Sequence, residues 1–210
     1  MTRPSSPRAL AWAGLVSLLL TACSPEFKGQ AITPARPLPT FTFRQADGST
    51  FSTAPVKGSA TVLFFGYTRC PDVCPTTLAD WKRVRAQLGA DTAHVRFVFV
   101  SIDPERDTPA IAEAYVRGYH PSFIALAGDT TTIRRMVKTF GIAVIPDNAS
   151  EGAPVPQPMG QTVPHDHTAS GQLIGHSSQA FLIDDRGWLV AMYSAGTSWE
   201  SLLADLRALL

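Results

Sequence analysis

The chain has 210 residues, enough for one well-buried domain with additional segments. Eighteen Lys and Arg against 17 Asp and Glu leave a formal net charge of +1, which argues against nucleic acid or an anionic membrane surface as the main partner. Three cysteines are too few for a disulfide framework.

Arg3 and Arg8 form a basic stretch around the start of an apolar core over 9–20. That core is too short to span a bilayer comfortably, so residues 1–22 read as a signal peptide. It ends in Leu20-Thr21-Ala22-Cys23, which resembles a bacterial lipobox. The resemblance implies cleavage before Cys23 and lipid on its sulfur, hence an extracytoplasmic domain tethered to the cell membrane by acyl chains. The bland alternative is a signal peptide whose cleavage site happens to fall near a cysteine.

Residues 23–39, rich in Pro, Gly and polar side chains, read as a linker. The alternation in Phe41-Thr42-Phe43-Arg44, the turn at Asp47-Gly48 and Thr50-Phe51-Ser52 predict a β-hairpin. The continuous apolar run over 61–65 predicts a buried strand. Leu78, Trp81, Val84 and Leu88 follow helical spacing, giving a helix over 75–88 that Gly89 ends. A second buried strand spans 95–102. Asp107-Thr108-Pro109 then reads as an N-cap followed by proline at the first helical position, opening a helix to about 119. A short strand over 123–126 and a helix over 130–140, closed by Gly141, come next. Residues 179–183 and 188–193 pair around Asp185-Arg186-Gly187, and Ser198 caps a C-terminal helix. The stretch 146–172 stands apart, with Pro and Gly throughout and no apolar period, and such length inside a domain is usually functional or disordered. The order predicts an α/β domain over 40–210: a thioredoxin-like mixed sheet flanked by helices, with an N-terminal β-hairpin.

The chemistry concentrates in Cys70-Pro71-Asp72-Val73-Cys74-Pro75, between a buried strand and a helix. With Cys74 in the first turn, both sulfurs point at one spot near the helix N-terminus. Its unpaired N–H groups and partial positive charge favour thiolate. Thiolate attacks disulfides and binds soft metals, so redox chemistry, metal binding or both are open. With Cys23 lipidated, Cys70 and Cys74 are the remaining pair. A bond between them closes too small a loop to stabilise the fold through chain entropy, which favours a chemical purpose.

Phe65-Gly66-Tyr67-Thr68-Arg69-Cys70-Pro71-Asp72-Val73-Cys74-Pro75 resembles the signature of the Sco (SenC-type) family of copper-handling proteins. Ser101-Ile102-Asp103-Pro104-Glu105-Arg106-Asp107-Thr108-Pro109 resembles that family's loop after the second thioredoxin strand. Gly175-His176-Ser177, just before the strand Gln179-Ala180-Phe181-Leu182-Ile183, resembles its histidine motif. Three motifs in order cover roughly 41–210. The resemblance implies one copper ion bound by Cys70, Cys74 and His176, and delivery to the binuclear copper site of cytochrome c oxidase. It implies as partners the apo-oxidase copper-site subunit, an upstream copper donor and a thiol reductant. Thiol–disulfide activity at Cys70 and Cys74 is the alternative function. The family often has an acidic residue before the histidine, where this chain has Gly175.

Two thiolates and an imidazole suit Cu(I), although zinc also accepts such ligands with water. Asp72 reads as a turn former or a weak ligand of oxidised copper, and Asp103, Asp107 and Thr108 as structural. His165-Asp166-His167 reads either as a solvated loop or as an auxiliary metal site. His94 and His120 read as surface or helix-end residues. A peroxidase on this scaffold would need Thr-x-x-Cys, and Thr68-Arg69-Cys70 is one residue short.

Overall fold

The structure, a computed structural model, describes residues 26–145, 175–176 and 179–210. Residues 145 and 175–176 are described for their backbone. The signal peptide, Cys23 and the 146–172 stretch, including His165 and His167, lie outside the described residues.

A six-stranded mixed sheet forms the centre. Its strands are β1 (Gln30–Pro37), β4 (Ala60–Gly66), β5 (Val95–Ser101), β6 (Ile124–Leu126), β9 (Gln179–Ile183) and β10 (Trp188–Ser194). Their spatial order is β1-β10-β9-β4-β5-β6. β4, β5 and β6 run parallel, and β9 is antiparallel to both of its neighbours, β4 and β10. The predicted hairpin appears as β2 (Thr42–Arg44) paired with β3 (Thr50–Ser52). A third, two-stranded ladder joins β7 (Val144–Ile145) to β8 (Gly175–His176).

Every residue of β4 is buried, as its unbroken apolar run requires of a strand covered on both faces. The period-two alternation sends Val62 and Phe64 to one core and Leu63 and Phe65 to the other. On the first face lie α1 (Val73–Leu88), α2 (Pro109–Arg117) and α4 (Trp199–Leu209). Trp81 of α1, 1% exposed, is its centre, edge-on to Phe64 and Phe123. The second face carries α3 (Thr130–Phe140) and the hairpin's Phe41 and Phe43. Asp129 caps α3 by accepting the Thr131 and Thr132 N–H groups, and Gly141 ends it at φ 70°.

One boundary differs from the sequence reading. Residues 23–39 were expected to be linker, yet Gln30–Pro37 is a sheet strand on β10. Its prolines gave the linker signature. They are accommodated because β1 is an edge strand with an irregular register between Ala31 and Arg36, where missing ladder donors cost little. The C-terminal cap also differs in detail: Ser198 occupies the N-cap of α4, but its hydroxyl meets Ser201 Oγ rather than a backbone N–H.

Candidate metal centre

β4 ends at Gly66, and the Ile102 N–H donates to the Gly66 carbonyl, extending the β4–β5 ladder one step. The chain then turns: the Cys70 N–H donates to Tyr67 O at 3.2 Å. Asp72 is the N-cap of α1, which begins at Val73, two residues earlier than the sequence reading. The Asp72 carboxylate makes no cap bond. Instead the Cys74 N–H donates to Cys70 Sγ at 3.4 Å, so a sulfur takes one of the orphan donors of the first turn. Pro75 is tolerated there because its missing N–H belongs to the same orphan set. The two cysteines are therefore brought together as predicted. Both are thiols; Cys70 is half-buried and Cys74 fully buried.

The neighbouring sulfur, and then burial, change the expected acidity. The Cys74 thiol is pushed far above its ordinary value, first by its hydrogen bond with Cys70, then by burial and by the charge of Cys70. The sequence reading expected the helix N-terminus to favour thiolate; at Cys74 the neighbouring sulfur and the apolar surroundings win. Two adjacent thiolates become compatible when a cation lies between them, which is the chemistry of a soft metal site. The donor set fits such an ion. Space beside the inner sulfur is kept by a glycine: a Cβ on Gly66 would lie 2.7 Å from Cys74 Sγ and 2.7 Å from Phe99 Cε2.

Asp107 holds the turn that carries Cys70. Its carboxylate is fully buried and accepts the Thr68 N–H at 2.9 Å, the Thr68 hydroxyl at 2.6 Å and the Ser101 hydroxyl at 2.6 Å. The helix cap expected of Asp107 or Thr108 falls to Thr108, whose Oγ1 accepts from the Ile111 N–H. Asp103 accepts from Arg106 Nε, and its carbonyl accepts the Arg106 and Asp107 N–H groups. Asp107 and Gly66 are the residues whose roles composition did not reveal. A lone glycine closing an apolar strand is a sequence signal of close approach.

His176 lies in β8 with its backbone opposite Val144. Val144 packs on the same core cluster as Cys70. Ala180, four residues after His176, is in register with Phe64, two residues before Gly66. The backbone of the histidine motif and the cysteine turn thus occupy the same end of the sheet. Among the described residues no group of three His, Cys, Asp or Glu closes around one point; the His176 side chain lies outside them. His94 is exposed at the end of a 3-10 turn, and His120 is bonded to Arg85 and Ser122, away from the cysteines.

Comparison with known proteins agrees with this architecture. The SCO1/SenC family model matches residues 30–210. A protein of Stutzerimonas stutzeri described as a putative copper-binding protein is 37% identical over 56% of this chain and 58% of its own length. The solution structure of apo Sco1 from Thermus thermophilus is 32% identical with a TM-score of 0.70, covering 88% of this chain and 98% of that one. The structure of Bradyrhizobium japonicum ScoI with copper bound is 29% identical with a TM-score of 0.65, covering 83% and 99%. With fold, motif order and family model in agreement over residues 30–210, the chain belongs to the SCO1/SenC family.

Proposed function

We propose that this protein binds one copper ion through Cys70, Cys74 and His176 and delivers it to the copper-site subunit of apo cytochrome c oxidase. The observation that carries this reading is the pairing of Cys70 Sγ with the Cys74 N–H at the start of α1, with the His176 backbone at the same end of the sheet. The copper-bound Bradyrhizobium relative supports the choice of metal, and a relative called BsSco is described as a member of the Sco family of cytochrome c oxidase assembly proteins. An upstream copper donor loads the site and a thiol reductant keeps Cys70 and Cys74 reduced. Cys23 is the lipid attachment point, which holds the domain outside the cytoplasm at the cell membrane. No helix among the described residues is long and apolar enough to cross a membrane.

Anaerobic Cu(I) titration with X-ray absorption tests the ligand set. One copper with two sulfurs and one nitrogen is expected. His176→Ala loses the nitrogen and weakens binding at least tenfold, about 1.4 kcal/mol; unchanged affinity and nitrogen count remove His176 from the site.

The unequal exposure of the thiols favours a second reading, thiol–disulfide exchange. Half-buried Cys70 attacks a partner disulfide and forms a mixed disulfide. Buried Cys74, 0% exposed, then attacks Cys70 Sγ and releases the partner as a dithiol. His176 is dispensable for that reaction, so reductase turnover by His176→Ala separates the two readings.

A further inference from the structure

We infer that the end of the sheet carrying Cys70 and Cys74 is the end held toward the membrane, so that the partner is one presenting its metal or disulfide site close to the bilayer surface. This rests on the lipid-anchor reading of Cys23. The strand registers supply the argument. Gln30, where β1 begins, is opposite Met192, near the end of β10. Met192 is opposite Phe181 and Tyr193 opposite Ala180, and Ala180 is opposite Phe64. Upstream of Gln30 the chain therefore runs toward the end of β4 that feeds the cysteine turn, while Gln30 itself is level with Leu63, the middle of β4, through Met192 and Phe181. β1 and β4 are three strand spacings apart in the order β1-β10-β9-β4, about 14 Å.

A buried carboxylate fixes where the chain joins that end. Asp205 of α4, 2% exposed, accepts the Lys28 N–H at 2.7 Å, the Gly29 N–H at 2.8 Å and the Tyr193 hydroxyl at 2.7 Å. Gly29 rests against the Tyr193 ring so closely that a Cβ would lie 2.6 Å from Cε1. Tyr193 in turn lines a groove of about 500 Å³ that Asp72 and Val73 at the start of α1 also line. The latch and the cysteine helix border one groove.

The leash is short. From Cys23 to the latched Lys28 there are five residue steps, which reach at most about 18 Å. The seven residues of β4 span about 23 Å. The leash is thus shorter than the sheet, so the latched side of the domain stays close to the bilayer while the latch is closed. The cysteine turn stays within about 32 Å of the surface, the sum of leash and lateral offset.

The test uses the full-length lipidated chain in vesicles containing an acceptor dye on lipid headgroups. One donor dye is placed on Cys70 in a Cys74→Ser chain. The other is placed on Lys57→Cys in a chain carrying Cys70→Ser and Cys74→Ser; Lys57 is exposed in the turn before β4, at the far end of the sheet. Energy transfer from the Cys70 position is expected to be about twofold or more higher, given the length of β4. A Gly-Ser insertion between Ser24 and Phe27, which leaves the fold untouched, is expected to close most of that gap, and Asp205→Asn to narrow it. Equal or reversed transfer in an acylated, folded chain overturns the orientation alone. So does an insertion that leaves the gap intact. A mass lacking the acyl groups on Cys23 overturns the anchor reading, and the orientation with it.

Discussion

Asp107 and Asp205 use one device for two purposes. Both carboxylates are buried, at 0% and 2% exposure, and each accepts three hydrogen bonds. Neither is in an ion pair among the described residues. Both join an irregular segment to the regular core, where the backbone alone would leave donors unsatisfied. They differ in what they hold. Asp107 ties the Thr68 turn to Ser101 of β5 and thereby sets the approach to Cys70. Asp205 ties the beginning of the described chain to its last helix, 177 residues away from Lys28. Buried carboxylates in this fold therefore do not all border the candidate metal centre; the partners of each one decide its role.

The largest effect is expected from Asp107→Ala. It leaves the Thr68 N–H, the Thr68 hydroxyl and the Ser101 hydroxyl without their acceptor. Each buried orphan costs about 1–3 kcal/mol, so a loss of roughly 3 kcal/mol or more is expected by denaturant unfolding. The freed turn no longer holds Cys70 Sγ over the Cys74 N–H, and Cu(I) affinity falls at least tenfold, about 1.4 kcal/mol, by competition titration. A folded variant that binds copper as tightly as the parent would break the distinction between the two carboxylates.

Asp205→Ala orphans as many donors and is expected to cost roughly 3 kcal/mol as well, but to leave Cu(I) affinity within about twofold, because its donors are two backbone N–H groups and Tyr193. The double variant should lose the sum of both. The sheet order separates β10 from β5 by three strand spacings, about 14 Å, and the carboxylates share no partner. A coupling beyond about 0.5 kcal/mol would mean that chain attachment and the cysteine turn communicate.

Removing one donor from each latch is a gentler form of the same contrast. Ser101→Ala and Tyr193→Phe each delete a hydroxyl donor and are expected to cost about 1 kcal/mol of stability. Similar losses with a shift of the copper–thiolate absorption in Ser101→Ala alone would uphold the division of roles. The same shift in Tyr193→Phe would erase it.

The contrast also marks what the sequence revealed. Period and punctuation foretold the elements that depend on local rules: the buried run of β4, the spacing of Leu78, Trp81, Val84 and Leu88, and the Gly141 stop. The cysteine pair was legible for the same reason, since four residues of spacing at a helix start fix the sulfurs locally. The latches were not. Asp107 sits where a helix cap is equally plausible, and its choice of Thr68 depends on how β4 and β5 align. Asp205 reads as an ordinary helix residue until Lys28 and Tyr193 are brought to it. β1 was obscured by its prolines, whose linker signature is sound in isolation but is overridden when an edge of β10 is available.

A half-buried latch supplies the weakest case. His120 accepts from Arg85 Nε at 3.2 Å through Nε2, and its Nδ1 accepts from the Ser122 N–H at 3.1 Å with the Ser122 hydroxyl at 2.9 Å. Its pKa is lowered from 6.5 by partial burial, then by Arg85 and Lys82. A histidine depressed in the folded state contributes stability that is present above its unfolded value and lost as pH falls through 6.5 toward the folded value, because the unfolded chain then binds the proton more readily. A small decline in melting temperature is therefore expected between about pH 7.5 and pH 5.5. His120→Gln, which retains an acceptor for Arg85, should lack that step while matching the parent at the upper pH. A decline of equal size in the variant would assign the titration elsewhere. It would leave the buried carboxylates, which gain their hold from exclusion of water, as the fold's effective polar latches among these.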